Sequence, residues 1–307
     1  MKKIGIFDSG YGGLTILDAI RKELPEYDYL YLGDNARAPY GTHSFDVIYR
    51  YTLQAVKYLF EHDCALVILA CNTASAKALR TIQQKDLPLI NSQLLTANSQ
   101  KPVNVLGVIR PTIEAVPAIT KTGHIGILAT PATVSSESYV LELKKMSDSL
   151  AVTQQACPLW VPLIENGEHN GPGAKYFVGK YLREILAKDP QIDTLVLGCT
   201  HYPLLKKEID HWLSYRQEIE GSEFPEPIES LQIQTIAQGD LVARSLADYL
   251  RRHPEYESQL TKTTPLSPKS PVMGSCRYLT TENADRFSQS ASIFLSSPVQ
   301  AEHIDLE

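Results

Sequence analysis

Two cysteines of the chain each follow a largely apolar run, and each is followed directly by polar residues. The runs are 66–70 and 194–198, and the polar sequences after them are Cys71-Asn72-Thr73 and Cys199-Thr200-His201. A single free cysteine is most often a small buried core residue. Two copies of one pattern, each with polar neighbours beside the sulfur, favour paired sulfur chemistry instead.

The apolar runs before the two cysteines predict strands. A run of this length without alternation is typical of a strand buried on both faces of a parallel sheet, and a helical segment follows each run. Each cysteine therefore lies at the carboxyl end of a strand, where open α/β sheets bind ligands. The dipole of the following helix favours the thiolate form of a cysteine at this position.

Two sulfurs on opposite faces of one substrate carbon can act as an acid/base pair. One removes a proton and the other returns a proton to the opposite face, which inverts a stereocentre. A redox pair would instead bond the two sulfurs to each other, and a cysteine hydrolase would combine one cysteine with a histidine and an oxyanion hole. The hydroxyls and amide of Ser9, Asn72, Thr73 and Thr200 favour a small, charged substrate.

Composition narrows the class of protein. A chain of 307 residues suits two domains, and its formal net charge of -6 gives no electrostatic reason to bind nucleic acid or a membrane surface. An acidic residue follows the N-terminus too soon for a signal peptide, and no apolar run reaches the length of a membrane span. We therefore expect a cytoplasmic protein with a small-molecule partner.

Five cysteines without tight spacing indicate free thiols rather than a disulfide framework or a zinc site. No metal-ligand cluster accompanies the two strand-end cysteines. No lysine at a strand end has the surroundings expected of a Schiff base with pyridoxal phosphate. We therefore predict that the protein uses neither a metal nor a cofactor.

A glycine-rich turn, Asp8-Ser9-Gly10-Tyr11-Gly12-Gly13, follows the first predicted strand. The turn matches neither GxGxxG nor a P-loop, and Asp8 would repel a phosphate at the start of the next helix. Helix capping by Asp8 and Ser9 is the structural alternative to a role in a site.

The polar connection 35–44 is longer than most βα loops, which predicts that it lines the site. A purely structural turn at 39–41 is the alternative there.

Glu165 ends an apolar, proline-flanked stretch, where burial would raise its pKa, although a surface glutamate is the simpler interpretation. Strands and helices alternate along the chain, which predicts an α/β fold with mainly parallel sheets. The portions 8–71 and 125–199 resemble each other in layout. Other predictions are a short strand at 87–90, a surface insertion at 91–101, a loop at 261–275 and a tail that docks back through a strand at 276–279 and the segment 287–295.

Four motifs together resemble the glutamate racemases of the aspartate/glutamate racemase superfamily. They are Asp8-Ser9-Gly10, Pro39-Tyr40-Gly41, Cys71-Asn72-Thr73-Ala74 and Gly198-Cys199-Thr200-His201-Tyr202-Pro203. The resemblance runs from residue 3 to about residue 250. It implies two similar α/β domains with the active site in the cleft between them. We place the first domain at 1–104 plus 215–307 and the second at 105–214.

The resemblance also implies a cofactor-independent enzyme that interconverts L- and D-glutamate and supplies D-glutamate for peptidoglycan, and it leads us to expect a homodimer. It implies that Cys71 acts on D-glutamate and Cys199 on L-glutamate. Asp8 and His201 would assist proton transfer, and Glu165 matches a further acidic residue of the family. The residues that match substrate contacts are Asp8, Ser9, Tyr40, Gly41, Asn72, Thr73, Thr130, Thr133, Thr200 and His201.

Two alternatives stay open at this point. Aspartate racemase shares the two-cysteine layout but usually carries Glu where this chain has His201. A regulatory protein that keeps the fold, like the glutamate racemases that restrain DNA gyrase, is the alternative of another class, and loss of a cysteine would have supported it. The segments 91–101 and 261–275 depart from the common family pattern without touching either cysteine.

Overall fold

The computed structural model describes residues 2–96, 101–215, 232–263, 273–295 and 297–306. These residues form ten strands: β1 (Lys3–Asp8), β2 (Tyr29–Gly33), β3 (Cys64–Leu69), β4 (Asn104–Gly107), β5 (His124–Ala129), β6 (Ala151–Ala156), β7 (Thr194–Gly198), β8 (Gln234–Ile236), β9 (Cys276–Thr280) and β10 (Ala301–His303).

The described residues also form fourteen α-helices: α1 (Gly13–Glu23), α2 (Phe45–Glu61), α3 (Asn72–Lys77), α4 (Leu79–Thr81), α5 (Leu87–Thr96), α6 (Ile109–Ala115), α7 (Pro131–Ser135), α8 (Ser138–Met146), α9 (Trp160–Glu165), α10 (Pro172–Lys188), α11 (Lys206–Tyr215), α12 (Gly239–Arg252), α13 (Pro254–Glu257) and α14 (Ala284–Ala291). Strand and helix alternate through most of the chain. No helix in the described ranges is both long and apolar enough to cross a membrane.

The first compact unit comprises 1–108 and 239–307. Its sheet has the order β10-β9-β2-β1-β3-β4, and every neighbouring pair is parallel. Helices cover both faces of this sheet. Ile4 and Ile6 lie in one buried cluster with the apolar face of α1, while Gly5 approaches Leu59 of α2. Because both faces are covered, β1, β2 and β3 are almost entirely buried, which explains their largely apolar sequences.

The second compact unit comprises 109–238 and contains the parallel sheet β6-β5-β7-β8. The strand order β2-β1-β3-β4 within the first sheet has the same connectivity, so the two units share the layout expected from the sequence. The predicted α/β class with mainly parallel sheets is confirmed.

The compact units divide after residues 108 and 238, whereas the sequence-based domains divide after 104 and 214. Pairing of β8 with β7 places 234–236 in the second unit.

The predicted strand at 87–90 is wrong, and residues 91–96 of the predicted surface insertion are helical. The chain is helical from α4 through a π-helical turn at Ile82–Asp86 to the end of α5 at Thr96. Leu87 is buried but Leu89 is 65% exposed, which fits a helix that buries one side rather than a strand covered on both faces. A four-residue apolar run does not distinguish the two structures. Residues 97–100 of the predicted insertion lie outside the described residues.

The tail, which we define as residues 273–306, adds two strands and a helix to the first unit. The predicted strand at 276–279 is confirmed as β9, which pairs with β2, and Phe287 of α14 is fully buried. Strand β10 was not predicted from the sequence. Of the predicted 261–275 loop, residues 264–272 lie outside the described residues.

Candidate active site

The carboxyl ends of β1, β2 and β3 meet at one edge of the first sheet. Asp8 is in register with Gly33, and Phe7 is in register with Leu69. The residues that follow these strands therefore come together, including Asp34 and Cys71. This is the sheet edge where the sequence predicted a site.

Cys71 is the N-cap residue of α3, and its side chain is 94% buried. Its Sγ lies 3.5 Å from the Ala74 backbone nitrogen, which donates to it, and 3.3 Å from Ser9 Oγ. Asn72 and Thr73, in the first turn of α3, are buried beside it. The sulfur thus lies at a sheet edge within reach of two hydrogen-bonding groups, one of them a fixed backbone donor.

Asp8 is 1% exposed, and its Oδ2 accepts a hydrogen bond from the Gly10 backbone N–H at 2.9 Å. The N-cap of α1 is Gly12, so the capping alternative for Asp8 and Ser9 is wrong. The helix approaches Asp8 very closely at its first residue. A Cβ atom on Gly13 would lie 2.4 Å from Asp8 Cβ and 2.9 Å from Asp8 Cγ. Only glycine leaves the Asp8 carboxylate in this position.

Replacing Gly13 by alanine is expected to move Asp8, destabilise the fold by roughly 1–3 kcal/mol and lower kcat/KM about 10-fold. Urea unfolding and the activity assay described below measure the two effects. Gly173→Ala is the matched control, because Gly173 also lies in the first turn of a helix but its Cβ would meet only Leu163, at 3.6 Å. Equal activity of the two variants would contradict the steric argument.

The connection after β2 is held through Asp34, which is fully buried. Asp34 Oδ2 accepts hydrogen bonds from the Tyr40 hydroxyl and, at 2.7 Å, from Arg37 Nε. Burial and the neighbouring Asp34 raise the pKa of Tyr40 far above its usual value. The hydroxyl therefore stays protonated and is used in the fold, so the 40–41 segment offers a ligand its backbone rather than the Tyr40 hydroxyl. Asp34 was not predicted from the sequence, although its place at a strand end beside the polar connection was the available signal.

In the second unit, the carboxyl ends of β5 and β7 are adjacent, with Ala129 in register with Gly198. Thr130 and Cys199 follow these residues at the same edge. Thr130 caps α7, since its Oγ1 accepts from the Thr133 backbone N–H at 3.3 Å and donates to Thr133 Oγ1 at 3.0 Å. Thr130, Thr133 and Thr200 are all buried or nearly so. The structure thus brings together the predicted hydroxyl groups of this half.

Cys199, His201 and Glu165 form a continuous chain of contacts. Cys199 Sγ lies 3.8 Å from His201 Nδ1, and His201 Nε2 lies 2.9 Å from Glu165 Oε1. His201 is 5% exposed. Burial alone would lower the pKa of His201, but its hydrogen bonds with Cys199 and Glu165 and their negative charges outweigh burial and raise the pKa to about 10. An imidazolium between a sulfur and a carboxylate is therefore favoured at neutral pH.

The raised pKa of His201 predicts how stability depends on pH. A histidine with a pKa near 6.5 in the unfolded chain and about 10 in the folded one stabilises the fold fully below pH 6.5, and this contribution is lost as the pH rises to 10. We expect the stability advantage of the wild type over His201→Asn to shrink by roughly 2–4 kcal/mol across that window. Urea unfolding at several pH values measures it. Parallel curves for the two proteins would refute a charged His201.

Helix α9 holds this group of residues at both of its ends. Glu165 at its C-terminus contacts His201, while Trp160 at its N-terminus packs edge-on against Tyr202, with ring centroids 4.7 Å apart. The Tyr202 hydroxyl donates to the Cys157 carbonyl at 3.1 Å. The short helix therefore fixes the turn that carries Cys199. Glu165 was predicted from the sequence but Trp160 was not, because the role of Trp160 depends on a contact between distant parts of the chain.

No group of three or more His, Cys, Asp or Glu residues suited to a metal ion occurs among the residues that the structure describes. The five cysteines are all free thiols, and four of them are buried. Each of the two sheet edges carries one sulfur with polar groups beside it. Cys71 has Ser9 and the backbone amides of α3, and Cys199 has the His201–Glu165 pair. Both arrangements suit proton transfer.

Comparison with known proteins gives consistent matches. The family model of Asp/Glu/Hydantoin racemases matches residues 14–216. A glutamate racemase of Ruegeria sp. (strain TM1040) is 38% identical over 309 aligned positions, which cover 97% of this chain and 98% of that protein.

Solved structures agree with the sequence matches. A glutamate racemase isoform from Bacillus anthracis has a TM-score of 0.77 and 28% identity, covering 99% of this chain and 98% of that one. A glutamate racemase from Francisella tularensis, solved in complex with D-glutamate, has a TM-score of 0.77 and 29% identity, covering 100% and 98%.

Proposed function

The chain belongs to the Asp/Glu/Hydantoin racemase family, and from this we propose that it interconverts L- and D-glutamate by a two-thiol mechanism without a cofactor. It is therefore an amino-acid racemase, an isomerase. The observation that carries the mechanism is the repeated placement of a cysteine at a strand end with a buried acid/base partner. Cys199 has His201 and Glu165, and Cys71 has Ser9 at 3.3 Å with the buried Asp8 at the end of the adjacent strand.

In the direction from L- to D-glutamate, the Cys199 thiolate removes the α proton and the Cys71 thiol gives a proton to the opposite face. In the reverse direction Cys71 is the base and Cys199 the acid. After one turnover the first thiolate has become a thiol and the second thiol a thiolate, so the enzyme is set for the opposite direction. The net conversion of L- to D-glutamate consumes no reagent, and the negative charge passes from one sulfur to the other.

His201 and Asp8 have different roles in this scheme. The imidazolium of His201 stabilises the Cys199 thiolate, and Glu165 orients the ring through Nε2. On the other side, Asp8 lies at the end of the strand beside β3 and would assist proton transfer at Cys71. The two half-sites therefore differ, since a basic side chain serves Cys199 and an acidic one would serve Cys71.

We assign the substrate contacts to hydroxyls, an amide and backbone donors at the two sheet edges. These are Ser9, Tyr40, Gly41, Asn72, Thr73, Thr130, Thr133 and Thr200, with Asp8 and His201. Helix-start N–H groups at α3 suit a carboxylate of glutamate. We further propose, from the resemblance to the glutamate racemases, that the protein is a cytoplasmic homodimer and that its D-glutamate serves peptidoglycan synthesis.

Circular dichroism of L-glutamate with purified protein and no added cofactor tests the proposal. We expect the signal to decay to zero, and to do so equally from D-glutamate, before and after exhaustive chelation of metals. A flat trace with glutamate and a decaying one with aspartate would identify an aspartate racemase. Flat traces with both substrates would favour a regulatory protein that keeps the fold.

A further inference from the structure

The tail reaches the edge of the first sheet where the carboxyl ends of β1, β2 and β3 meet. Its strand β9 pairs with β2 in parallel, with Thr280 in register with Gly33. Strand β9 therefore ends where the connection carrying Tyr40 and Gly41 begins. The first tail residue beyond the strand, Thr281, continues the pairing by donating its backbone N–H to the Gly33 carbonyl at 3.2 Å.

The Thr281 hydroxyl makes two hydrogen bonds of opposite sense to that connection. It donates to Asp34 Oδ1 at 2.8 Å and accepts from the Ala36 backbone N–H at 3.0 Å. Next to it, Thr280 Oγ1 lies 3.1 Å from Asn35 Oδ1. A hydroxyl is the smallest group that serves as donor and acceptor at once. The tail thus contacts three consecutive residues of the connection.

Asp34 transmits this contact to Tyr40. Its Oδ2 accepts from Tyr40 and Arg37, and its Oδ1 accepts from Thr281, so the donors on the loop and on the tail share one buried carboxylate. A buried carboxylate depends on all of its donors, because water does not replace one that is lost. Removal of the Thr281 donor therefore weakens the hold of Asp34 on the loop.

The tail also packs behind the neighbouring Ser9–Gly12 turn. The ring of Phe287 lies 5.3 Å from that of Tyr11 and 6.1 Å from that of Tyr31. Tyr31 in turn donates its hydroxyl to the Gly10 carbonyl at 3.0 Å. Two of the three segments of this sheet edge that carry predicted substrate contacts, the one at Ser9 and the one at Tyr40, are therefore supported from the tail.

We propose that Thr281 is a positioning residue of the active site, which acts through Asp34 to hold the Tyr40–Gly41 segment in place for substrate. The proposal rests on the proposed racemase function and adds a residue outside the matched family segment 14–216. Because this segment carries substrate contacts and no acid/base group, loosening it affects substrate binding more than the chemical step.

The test compares Thr281→Val, which keeps the shape but loses the hydroxyl, with Thr281→Ser, which keeps the hydroxyl. We expect Thr281→Val to raise KM about 10-fold in both directions with kcat changed less than about 3-fold, and Thr281→Ser to restore KM. Ser288→Ala is the matched control, since the Ser288 hydroxyl also bridges backbone groups, but those of Ala284 and Ala301 within the tail. Its KM should match that of the wild type.

A double-mutant cycle with Tyr40→Phe tests the route through Asp34. If both residues act on the loop through this carboxylate, their effects on KM are not additive, and the double variant is weakened less than the product of the two single effects. Thr281→Ala takes the place of Thr281→Val in the cycle if the valine variant does not fold.

Three results would overturn the proposal: a lower melting temperature of Thr281→Val with unchanged KM, equal KM values for the valine and serine variants, or additive effects in the cycle. Wild-type activity is measured in the same assay. Inactive wild-type protein would refute the proposed function, whereas an active wild type with a normal Thr281→Val refutes only the role of Thr281.

Discussion

Replacing either Cys71 or Cys199 by alanine is expected to lower racemisation of glutamate by at least about 10³-fold, because one face of the α carbon then lacks its proton donor or acceptor. Circular dichroism in both directions measures the loss. Cys276→Ala is the matched control. Cys276 lies on β9, outside the proposed catalytic groups, and its replacement should leave the rate unchanged.

A substrate analogue with a leaving group on the β carbon separates the two half-reactions. Elimination needs only removal of the α proton, so Cys71→Ala should still process the L analogue and Cys199→Ala the D analogue. Each variant should be inactive on the other enantiomer. Two variants that process the same enantiomer, or a single variant that racemises glutamate at a near wild-type rate, would require a mechanism other than two thiols.

Solvent deuterium should enter almost only the product enantiomer at early times in deuterated water. Starting from L-glutamate, Cys199 removes a protium and the exchanged Cys71 thiol delivers deuterium, so the D-glutamate formed carries one deuterium while the remaining L-glutamate stays largely unlabelled. Chiral separation followed by mass spectrometry measures both pools. Label that appears equally in substrate and product would indicate one base that serves both faces.

The reciprocal experiment from D-glutamate is the internal control of the labelling experiment. The substrates are mirror images, so the equilibrium constant is one and the labelling pattern must invert with the starting enantiomer. Because Cys199 has the His201–Glu165 pair and Cys71 has Ser9 and Asp8, the primary isotope effects in the two directions need not be equal. Label that follows the same enantiomer from either start would contradict the exchange of roles between the thiols.

Local sequence was sufficient to predict the fold class and the place of both sulfurs. The runs before Cys71 and Cys199 are buried on both faces in parallel sheets, and this burial favours apolar side chains at almost every position. Parallel strands present their carboxyl ends at one edge, so the residues after each run were predictable as neighbours of the residues that follow the adjacent strands of the same sheet. The roles assigned to the predicted site residues stay predictions, which the experiments above address.

The sequence was ambiguous where a segment is short or lies beside a boundary. The run at 87–90 has four residues, which are too few to show a hydrophobic period. In the structure Leu87 is buried and Leu89 is exposed, as expected for a helix and not for a strand covered on both faces. The second unit gains 234–236 because β8 pairs with β7. The sheet edge with which a strand pairs depends on contacts between distant parts of the chain, and a local sequence pattern does not predict it.

The sequence by itself determined the apolar strands, the turns and the chemical groups at the strand ends, because each depends on residues that are adjacent in the chain. Tertiary structure alone decided the partner of each group. Glu165 meets His201 across 36 positions and Thr281 meets Asp34 across 247. Strand order and helix packing set such distances, and these follow from burying the whole apolar surface at once rather than from any one segment.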